Sequence, residues 1–137
     1  MIEEYNKANF DILDDLVAPD YIGRFTGPPH QIQGLENLKQ LFITGRQGCP
    51  DWYETIEDII AEGDKVWVRT TYTGINTGEF FGLAPTGKKI TTYAVDIYRI
   101  VDGKIVEGWS LSDRSLLLKQ LGLIEYTEKG KKLFPQE

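Results

Sequence analysis

The chain has 137 residues, of which 26% are charged, and a net charge of −6 at neutral pH. A chain of this length forms one domain with a substantial core, and its acidic balance argues against nucleic acid or an anionic membrane as a partner. The single cysteine excludes an internal disulfide, and the single histidine excludes a histidine-rich metal site. No apolar run approaches the ~20 residues of a membrane span, and the first ten residues lack a signal-peptide pattern, so we expect a soluble, cytoplasmic protein.

The first half of the chain is predicted to be mainly helical. Apolar side chains recur at helical spacing over 10–17, and Pro19 ends that helix. A short strand over 21–26 comes before the break at Gly27-Pro28-Pro29. The leucines of 35–42 then give the best amphipathic helix in the chain.

The second half is predicted to consist mainly of strands. Residues 53–61 and 66–77 alternate as two strands joined by a tight turn. The segment 80–87 is a loop rich in glycine and proline, yet it is unusually apolar. A short leucine-rich helix over 116–121 follows the last strand.

The order of these elements predicts the fold class. Helices first and a long antiparallel run afterwards indicate an α+β domain, with helices packed on one side of a curved sheet. We place this single domain at 1–123 and expect a loosely held C-terminal tail over 124–137.

Residues 87–113 form the central hairpin of this prediction. Asp102-Gly103 is the dipeptide that best supports a two-residue turn, because both turn positions need positive φ. A two-residue turn fixes the register, and one face then combines apolar and aromatic side chains with several carboxylates. Since burying a carboxylate is costly unless it is paired or neutral, this face predicts a pocket. The predicted opposite pairs are Val101 and Lys104, Tyr98 and Glu107, Asp96 and Trp109, and Thr92 and Asp113.

Asp113 is the best candidate for a catalytic general base. Beside Trp109 and Leu111 in an apolar pocket, its carboxylate would have a raised pKa and would be a stronger base. The alternative is that Asp113 is the N-cap of the helix that starts at Arg114, which would lower its pKa. Trp109 is correspondingly either a pocket wall or an ordinary core residue.

Asp96 and Tyr98 are further candidates on the preceding strand. Four residues separate the level of Asp96 from that of Asp113, about 13 Å along a strand, so the two carboxyls would contact different ends of one substrate. The alternative for Asp96 is a structural ion pair with Arg69 or Arg99. The Tyr98 hydroxyl either steadies an enolate oxygen or forms a solvated surface pair with its cross-strand neighbour.

Two loops add candidate substrate contacts. Phe80, Phe81 and Leu83 of the apolar loop form either the pocket mouth or a dimer contact. His30, in the loop GPPHQIQG, is either a surface residue or a residue that faces the substrate. Because the single His and the single Cys lie in different loops far from Asp113, we expect no metal requirement.

Three stretches of the chain resemble a known family. They are NKANFDILDDLVAPDY near the start, TGEFFGLAPTGKKI, and DIYRIVDGKIVEGWSLSD followed by LLLKQLG. In this order and spacing, over roughly 6–123, they resemble the SnoaL-like polyketide cyclase (ester cyclase) family of the nuclear transport factor 2-like superfamily. The resemblance implies an α+β cone, in which a bent antiparallel sheet surrounds a deep pocket closed by helices.

The resemblance also implies a reaction. Polyketide cyclases of the family use no cofactor, and an Asp near the end of the last strand removes an acidic C–H proton so that the enolate closes a ring by aldol attack. By position, this Asp is Asp113. Many members have a His directly before the Trp that matches Trp109, whereas this chain has Gly108. By the predicted register, position 108 lies on the face away from Trp109, so the loss of that side chain need not empty the pocket.

We therefore expect a cofactor-free cyclase-type enzyme that acts on a small apolar, polyketide-like substrate. Isomerases, dehydratases and epoxide hydrolases of the superfamily are enzymatic alternatives, although Ala94 stands where the epoxide hydrolases need an Arg. A non-catalytic module that binds a small apolar ligand is the alternative from another class. We also expect a homodimer packed through the convex sheet face, where Tyr93, Val95 and Ile97 lie beside Val106.

Overall fold

The computed structural model describes residues 1–133, apart from the side chain of Glu4, so the last part of the predicted tail, 134–137, lies outside the described residues. The helical elements are α1 (Ile2–Asn6), a 3-10 turn (Phe10–Ile12), α2 (Leu13–Leu16), α3 (Leu35–Gly48), α4 (Arg114–Gln120) and α5 (Glu128–Lys131). The strands are β1 (Val17–Phe25), β2 (Gln31–Gln33), β3 (Tyr53–Glu62), β4 (Lys65–Ile75), β5 (Lys89–Val101) and β6 (Lys104–Ser112). None of the helices within the described residues is long and apolar enough to cross a membrane.

The six strands form one curved, open sheet in the order β2-β1-β6-β5-β4-β3. Neighbouring strands are antiparallel except β1 and β6, which run parallel. Since α2 and α3 pack on β1, α1 on β3 and α4 on β5, the helices cover the sheet as the α+β prediction requires. The predicted fold class is confirmed, with the parallel β1–β6 pair as an added feature.

Alternation along β5 sets the two faces of the sheet. Ile90, Thr92, Ala94 and Asp96 are buried, whereas Tyr93 between them is 51% exposed. Because side chains of a strand point alternately to opposite sides, the buried set defines an inner face beneath the helices and Tyr93 marks an outer face.

The hairpin between β5 and β6 contains a β-bulge. Its turn forms as predicted, with φ of 51° at Asp102 and 78° at Gly103. Past the turn, Val106 is an extra residue in β6, and it shifts the pairing by one position. The register predicted beyond this point is therefore wrong, and so is the predicted set of side chains that share a face. The observed pairs are Ile100 and Ile105 before the bulge, then Arg99 and Glu107, Tyr98 and Gly108, Ile97 and Trp109, Asp96 and Ser110, and Val95 and Leu111.

The hydrophobic core lies where α2 and α3 pack on β1. Its buried members are Leu13, Val17, Tyr21, Leu35 and Leu38. The helical spacing of Leu35 and Leu38 places both on the face of α3 that meets the sheet, and burial of each leucine contributes roughly 1.5–3 kcal/mol. This packing holds α3 over the β1 end of the inner face, where it forms one wall of a cavity.

Candidate active site

A cavity of about 170 Å³ lies between the inner face of the sheet and helices α1 and α3. Most of its wall is aliphatic or aromatic, and two carboxyls, those of Glu54 and Asp96, also line it. A mostly apolar pocket with a few polar groups is the usual form of a small-molecule site. The helical side of the wall consists of Ile2 and Tyr5 from α1, with Met1 just before that helix, and of Leu38, Leu41 and Phe42 from α3.

Asp96 is the carboxyl on the central strand of the cavity. It lies on β5 directly opposite Ser110 of β6 and is only 6% exposed. Burial raises the pKa of the Asp96 carboxyl, and a hydrogen bond from the Ser110 side chain partly opposes this shift. The Asp96 carboxylate is therefore poorly solvated but still held by a hydroxyl donor.

Glu54 is a second buried carboxyl in the same cavity. It lies at the start of β3 opposite Tyr72 of β4, and it is also 6% exposed. Burial raises the pKa of the Glu54 carboxyl to about 7; a hydrogen bond from Tyr72 opposes the shift, and the negative charge of Asp96 adds to it. At neutral pH a substantial fraction of Glu54 is therefore protonated.

The backbone of Glu54 is fixed by helix α1. The Asn6 side-chain amide donates to the Glu54 carbonyl oxygen at 2.9 Å and accepts from the Glu54 N–H at 2.7 Å. These two hydrogen bonds tie the first helix to the edge strand of the sheet. Sequence reasoning missed Glu54, because the contact that buries it joins residues 48 positions apart.

Four tyrosines surround the two carboxyls. Burial raises the pKa of Tyr21 to about 12 and also raises the pKa of Tyr5, Tyr72 and Tyr98 above the ordinary value for tyrosine. The negative charge of Asp96 adds to all four shifts. The phenol groups thus stay protonated and can donate hydrogen bonds to a ligand oxygen. The four are Tyr5, Tyr21, Tyr72 and Tyr98, and all of them line the cavity.

Gly108 lies on the cavity floor, on the face away from Trp109 as predicted; the correction is that this face, and not the face of the Trp109 side chain, is the pocket face. It pairs with Tyr98 on one side and with Gly23 of β1 on the other. A Cβ at Gly108 would lie 2.2 Å from the Tyr21 hydroxyl oxygen, and a Cβ at Gly23 would lie 3.0 Å from the Tyr21 ring. Tyr21 therefore fills the space that side chains at these two glycines would need.

Asp113 lies outside this cavity. It is exposed and is the N-cap of α4, where its Oδ1 accepts a hydrogen bond from the Leu116 N–H at 3.0 Å. Of the two predicted roles, the N-cap geometry is the one observed. The cavity carboxyls are Asp96 and Glu54, and Asp113 is not beside them.

The bulge also changes the neighbours of Asp96. Leu111, a predicted pocket residue, is 50% exposed on the outer face. Trp109 borders the cavity, but its strand partner is Ile97 rather than Asp96, so alternation puts its side chain on the outer face. There the centre of its ring lies 5.4 Å from the Arg24 guanidinium carbon. The predicted Tyr98–Glu107 pair does not form, and Asp96 makes an ion pair with neither Arg69 nor Arg99. Instead, Glu107 accepts hydrogen bonds from Arg24 at 2.6 Å and from Arg99 at 2.5 Å.

The loop candidates lie away from Asp96. Phe80 packs against Gly48 and lines two smaller apolar cavities beside α4, while Phe81 is 72% exposed and Leu83 is 41% exposed. His30 is exposed, and its carbonyl oxygen accepts a hydrogen bond from the Phe25 N–H. These residues do not line the cavity that holds the two carboxyls.

Within residues 1–133, no group of three His, Cys, Asp or Glu side chains could hold a metal ion.

Comparison with known proteins gives matches by sequence and by structure, of which AclR is described as a hydroxylase and not as a cyclase. The sequence profile of the SnoaL-like polyketide cyclase family matches residues 1–121. Nogalonic acid methyl ester cyclase from Streptomyces nogalater is 27% identical over 131 residues, covering 89% of this chain and 92% of that protein. Aklanonic acid methyl ester cyclase AcmA from Streptomyces galilaeus is 27% identical over 124 residues, covering 89% of this chain and 85% of that protein. The crystal structure of AclR from Streptomyces galilaeus superposes with a TM-score of 0.80 at 28% identity, covering 90% of this chain and 91% of AclR.

Proposed function

Because the chain belongs to the SnoaL-like polyketide cyclase family, we propose that it closes a ring in a small, largely apolar carbonyl compound by intramolecular aldol attack. The observation that carries this proposal is the Asp96 carboxyl, 6% exposed and set in a mostly apolar cavity. Asp96 takes a proton from the carbon next to a carbonyl group, and the resulting enolate carbon attacks a second carbonyl of the same molecule. The step needs no cofactor.

The surroundings of Asp96 suit it to act as this base. Burial raises the pKa of its carboxyl, so the carboxylate is a stronger base than a solvated one. The hydrogen bond from Ser110 holds the carboxylate in place and favours its ionised form. The protonated Tyr98 hydroxyl, in the same cavity, is the donor that we assign to the enolate oxygen.

The relatives suggest the first substrates to test. Their names give methyl esters of nogalonic acid and of aklanonic acid as the compounds that they cyclise. An apolar wall of aliphatic and aromatic side chains suits the hydrocarbon part of such an ester. We therefore propose these two esters, or compounds of the same class, as substrates of this chain.

Two Asp→Asn variants test the assignment of the base. Asp96→Asn should lower the rate of ring closure by about 10²-fold or more, because an amide cannot accept the proton. Asp113→Asn is the matched control and should keep the wild-type rate, since Asp113 is outside the cavity. Full activity of Asp96→Asn with loss of activity in Asp113→Asn would overturn the proposal and restore Asp113 as the base.

A non-catalytic binding module is the second candidate function. The observation that favours it is the N-cap position of Asp113, the residue to which the family resemblance gives the catalytic role. A binding module would bind either ester, measured by calorimetry, without ring closure by the wild-type protein. Asp96→Asn would then leave binding unchanged, whereas turnover by the wild type would exclude this function.

A further inference from the structure

We propose that Glu54 is the general acid of the same ring closure: it donates a proton to the oxygen of the attacked carbonyl while Asp96 takes a proton from carbon. This inference rests on the proposed function, because it assigns the second proton transfer of that reaction. It starts from the position of Glu54, a buried carboxyl that shares a cavity with Asp96 although the two lie on different strands.

The sheet register separates the two carboxyls enough for a substrate to lie between them. Glu54 pairs with Tyr72, and Tyr72 pairs with Thr92, which precedes Asp96 by four residues on β5. The two backbone positions are therefore two strands, or about 10 Å, apart across the sheet and about 13 Å apart along it. Both side chains nevertheless line one cavity, so they act on different atoms of a bound ligand and do not share one proton.

Helix α1 and strand β4 hold Glu54 where it could act. Asn6 fixes the Glu54 backbone through two hydrogen bonds, and Tyr72, its strand partner on β4, lies beside its side chain. A carboxyl acid needs a fixed position within reach of the oxygen that it protonates. The ordered surroundings of Glu54 provide this fixed position.

Burial and the charge of Asp96 favour the protonated form of Glu54, and the charge of the N-terminal amino group opposes it. Burial raises the pKa of Glu54 to about 7, and the negative charge of Asp96 adds to the rise. Asp96 and Glu54 therefore form a pair in which one carboxyl is suited to be the base and the other the acid at neutral pH. Among the side chains that the structure describes, the titratable and charged groups that face Glu54 are Tyr72 from β4, Asp96 and Tyr98 from β5, Tyr5 from α1 and the Met1 amino group just before α1, with Arg46 of α3 behind the Tyr5 ring.

Protons and electrons are conserved in the proposed ring closure. The C–H bond next to the first carbonyl breaks, its proton goes to the Asp96 carboxylate, and the enolate carbon forms a C–C bond with the second carbonyl carbon. The π electrons of that second carbonyl move to its oxygen, which takes the proton from Glu54 and becomes a hydroxyl. Asp96 is then protonated and Glu54 ionised, and exchange of one proton through water restores both groups.

A pH–rate profile of Glu54→Gln tests the inference, with aklanonic acid methyl ester or nogalonic acid methyl ester as the substrate. For the wild type, the rate should fall as pH rises through the pKa of Glu54, about 7, because the ionised carboxylate has no proton to donate. Glu54→Gln should lower kcat by about 10²–10⁴-fold and remove this descending limb. Glu57→Gln is the matched control on the same strand: Glu57 is exposed, bonds the Thr71 hydroxyl at 2.7 Å, and should keep the wild-type profile.

Each result bears on a different part of the assignment. A Glu54→Gln variant that keeps the wild-type rate and profile, while Asp96→Asn is inactive, overturns the general acid and leaves the proposed function standing. A wild type that cyclises neither ester, or an active Asp96→Asn, counts against the proposed function instead.

Independent of substrate, NMR titration of the Glu54 side-chain carboxyl should give a midpoint near neutral pH. A midpoint at or below the ordinary value of about 4.3 for glutamate overturns the general acid, because Glu54 would then be ionised at neutral pH.

Discussion

Gly108 is the residue of the cavity floor at which a side chain has no room. A Cβ there would lie 2.2 Å from the Tyr21 hydroxyl oxygen and 3.2 Å from the ring carbon that carries it. Tyr21 is only 5% exposed, so its ring must shift against the core to admit a methyl group. We expect Gly108→Ala to lower the free energy of unfolding by about 1–3 kcal/mol, the usual cost of overpacking. Urea denaturation followed by circular dichroism measures the difference.

A second substitution isolates the atom responsible for this clash. Tyr21→Phe removes the hydroxyl, after which the nearest remaining ring atom is 3.2 Å from a Cβ at Gly108. We expect Gly108→Ala to cost much less in the Tyr21→Phe background than in the wild type. Gly45→Ala is the control, because nothing lies within 4 Å of its added Cβ and alanine favours the helix. Equal losses at Gly108 in both backgrounds would contradict the assignment to the hydroxyl.

The two buried carboxyls differ in how far the sequence reveals them. Asp96 interrupts a run of apolar and aromatic residues, so the pattern itself predicts a carboxyl at a pocket. Glu54 is the second residue of a strand that also carries Glu57 and Asp58, both exposed, so the pattern does not separate the buried carboxyl from the solvated ones. What buries Glu54 is helix α1, attached through Asn6, and packing between such distant segments leaves no local signal.

At the scale of elements, the bulge at Val106 decides which side chains of the hairpin face the cavity. The sequence predicts the turn, because Asp102-Gly103 suits the two positive φ values that are observed. It does not predict the bulge, since both faces of β5 and β6 carry apolar residues and the hydrophobic pattern does not oppose a shift of one position. The residues opposite Asp96 and Tyr98 are therefore Ser110 and Gly108 rather than the aromatic and acidic side chains expected.

Helix α4 is attached to the sheet at both ends, so loss of its N-cap should change the stability of the fold. Near its end, the Gln120 side chain bonds both the N–H and the carbonyl oxygen of Thr91 in β5. At its start, the Asp113 N–H donates to the Tyr93 carbonyl oxygen of β5 at 2.9 Å, while the Asp113 side chain accepts the Leu116 N–H. We expect Asp113→Ala to lower the free energy of unfolding by about 0.5–2 kcal/mol, whereas Asp113→Asn should change it little because Asn is nearly as good a cap.

The same two variants separate a structural role of Asp113 from a catalytic one. Since Asp113 lies outside the cavity, both variants should retain wild-type turnover per folded molecule. Chemical denaturation and a rate assay on the same samples provide the two measurements. Turnover that falls in Asp113→Asn while stability is unchanged would return Asp113 to the catalytic site.

At the scale of the whole molecule, the outer face of the sheet exposes an apolar band. Soluble monomers rarely leave a continuous patch of this kind uncovered, so the band indicates an interface. The predicted outer-face residues of β5 are present, but their neighbours on β6 are Trp109 and Leu111 rather than Val106, again because of the bulge. The band consists of Ile60, Trp67, Ile97 and Trp109, which are neighbours across β3, β4, β5 and β6, together with Tyr93 and Leu111; Ile97 and Trp109 are half-buried and the other four are exposed.

We expect two copies of the chain to pack through this apolar band. Trp67 is 47% exposed near its centre, so Trp67→Asp would place a charge in the dimer contact and should give a monomer. Ile43→Asp is the matched control, because Ile43 is 41% exposed but lies on α3, on the helical side of the sheet. Sedimentation velocity at micromolar concentration distinguishes the two states. A monomeric wild type would defeat the prediction, and a dimer that survives Trp67→Asp but dissociates in Ile43→Asp would place the interface on the helices instead.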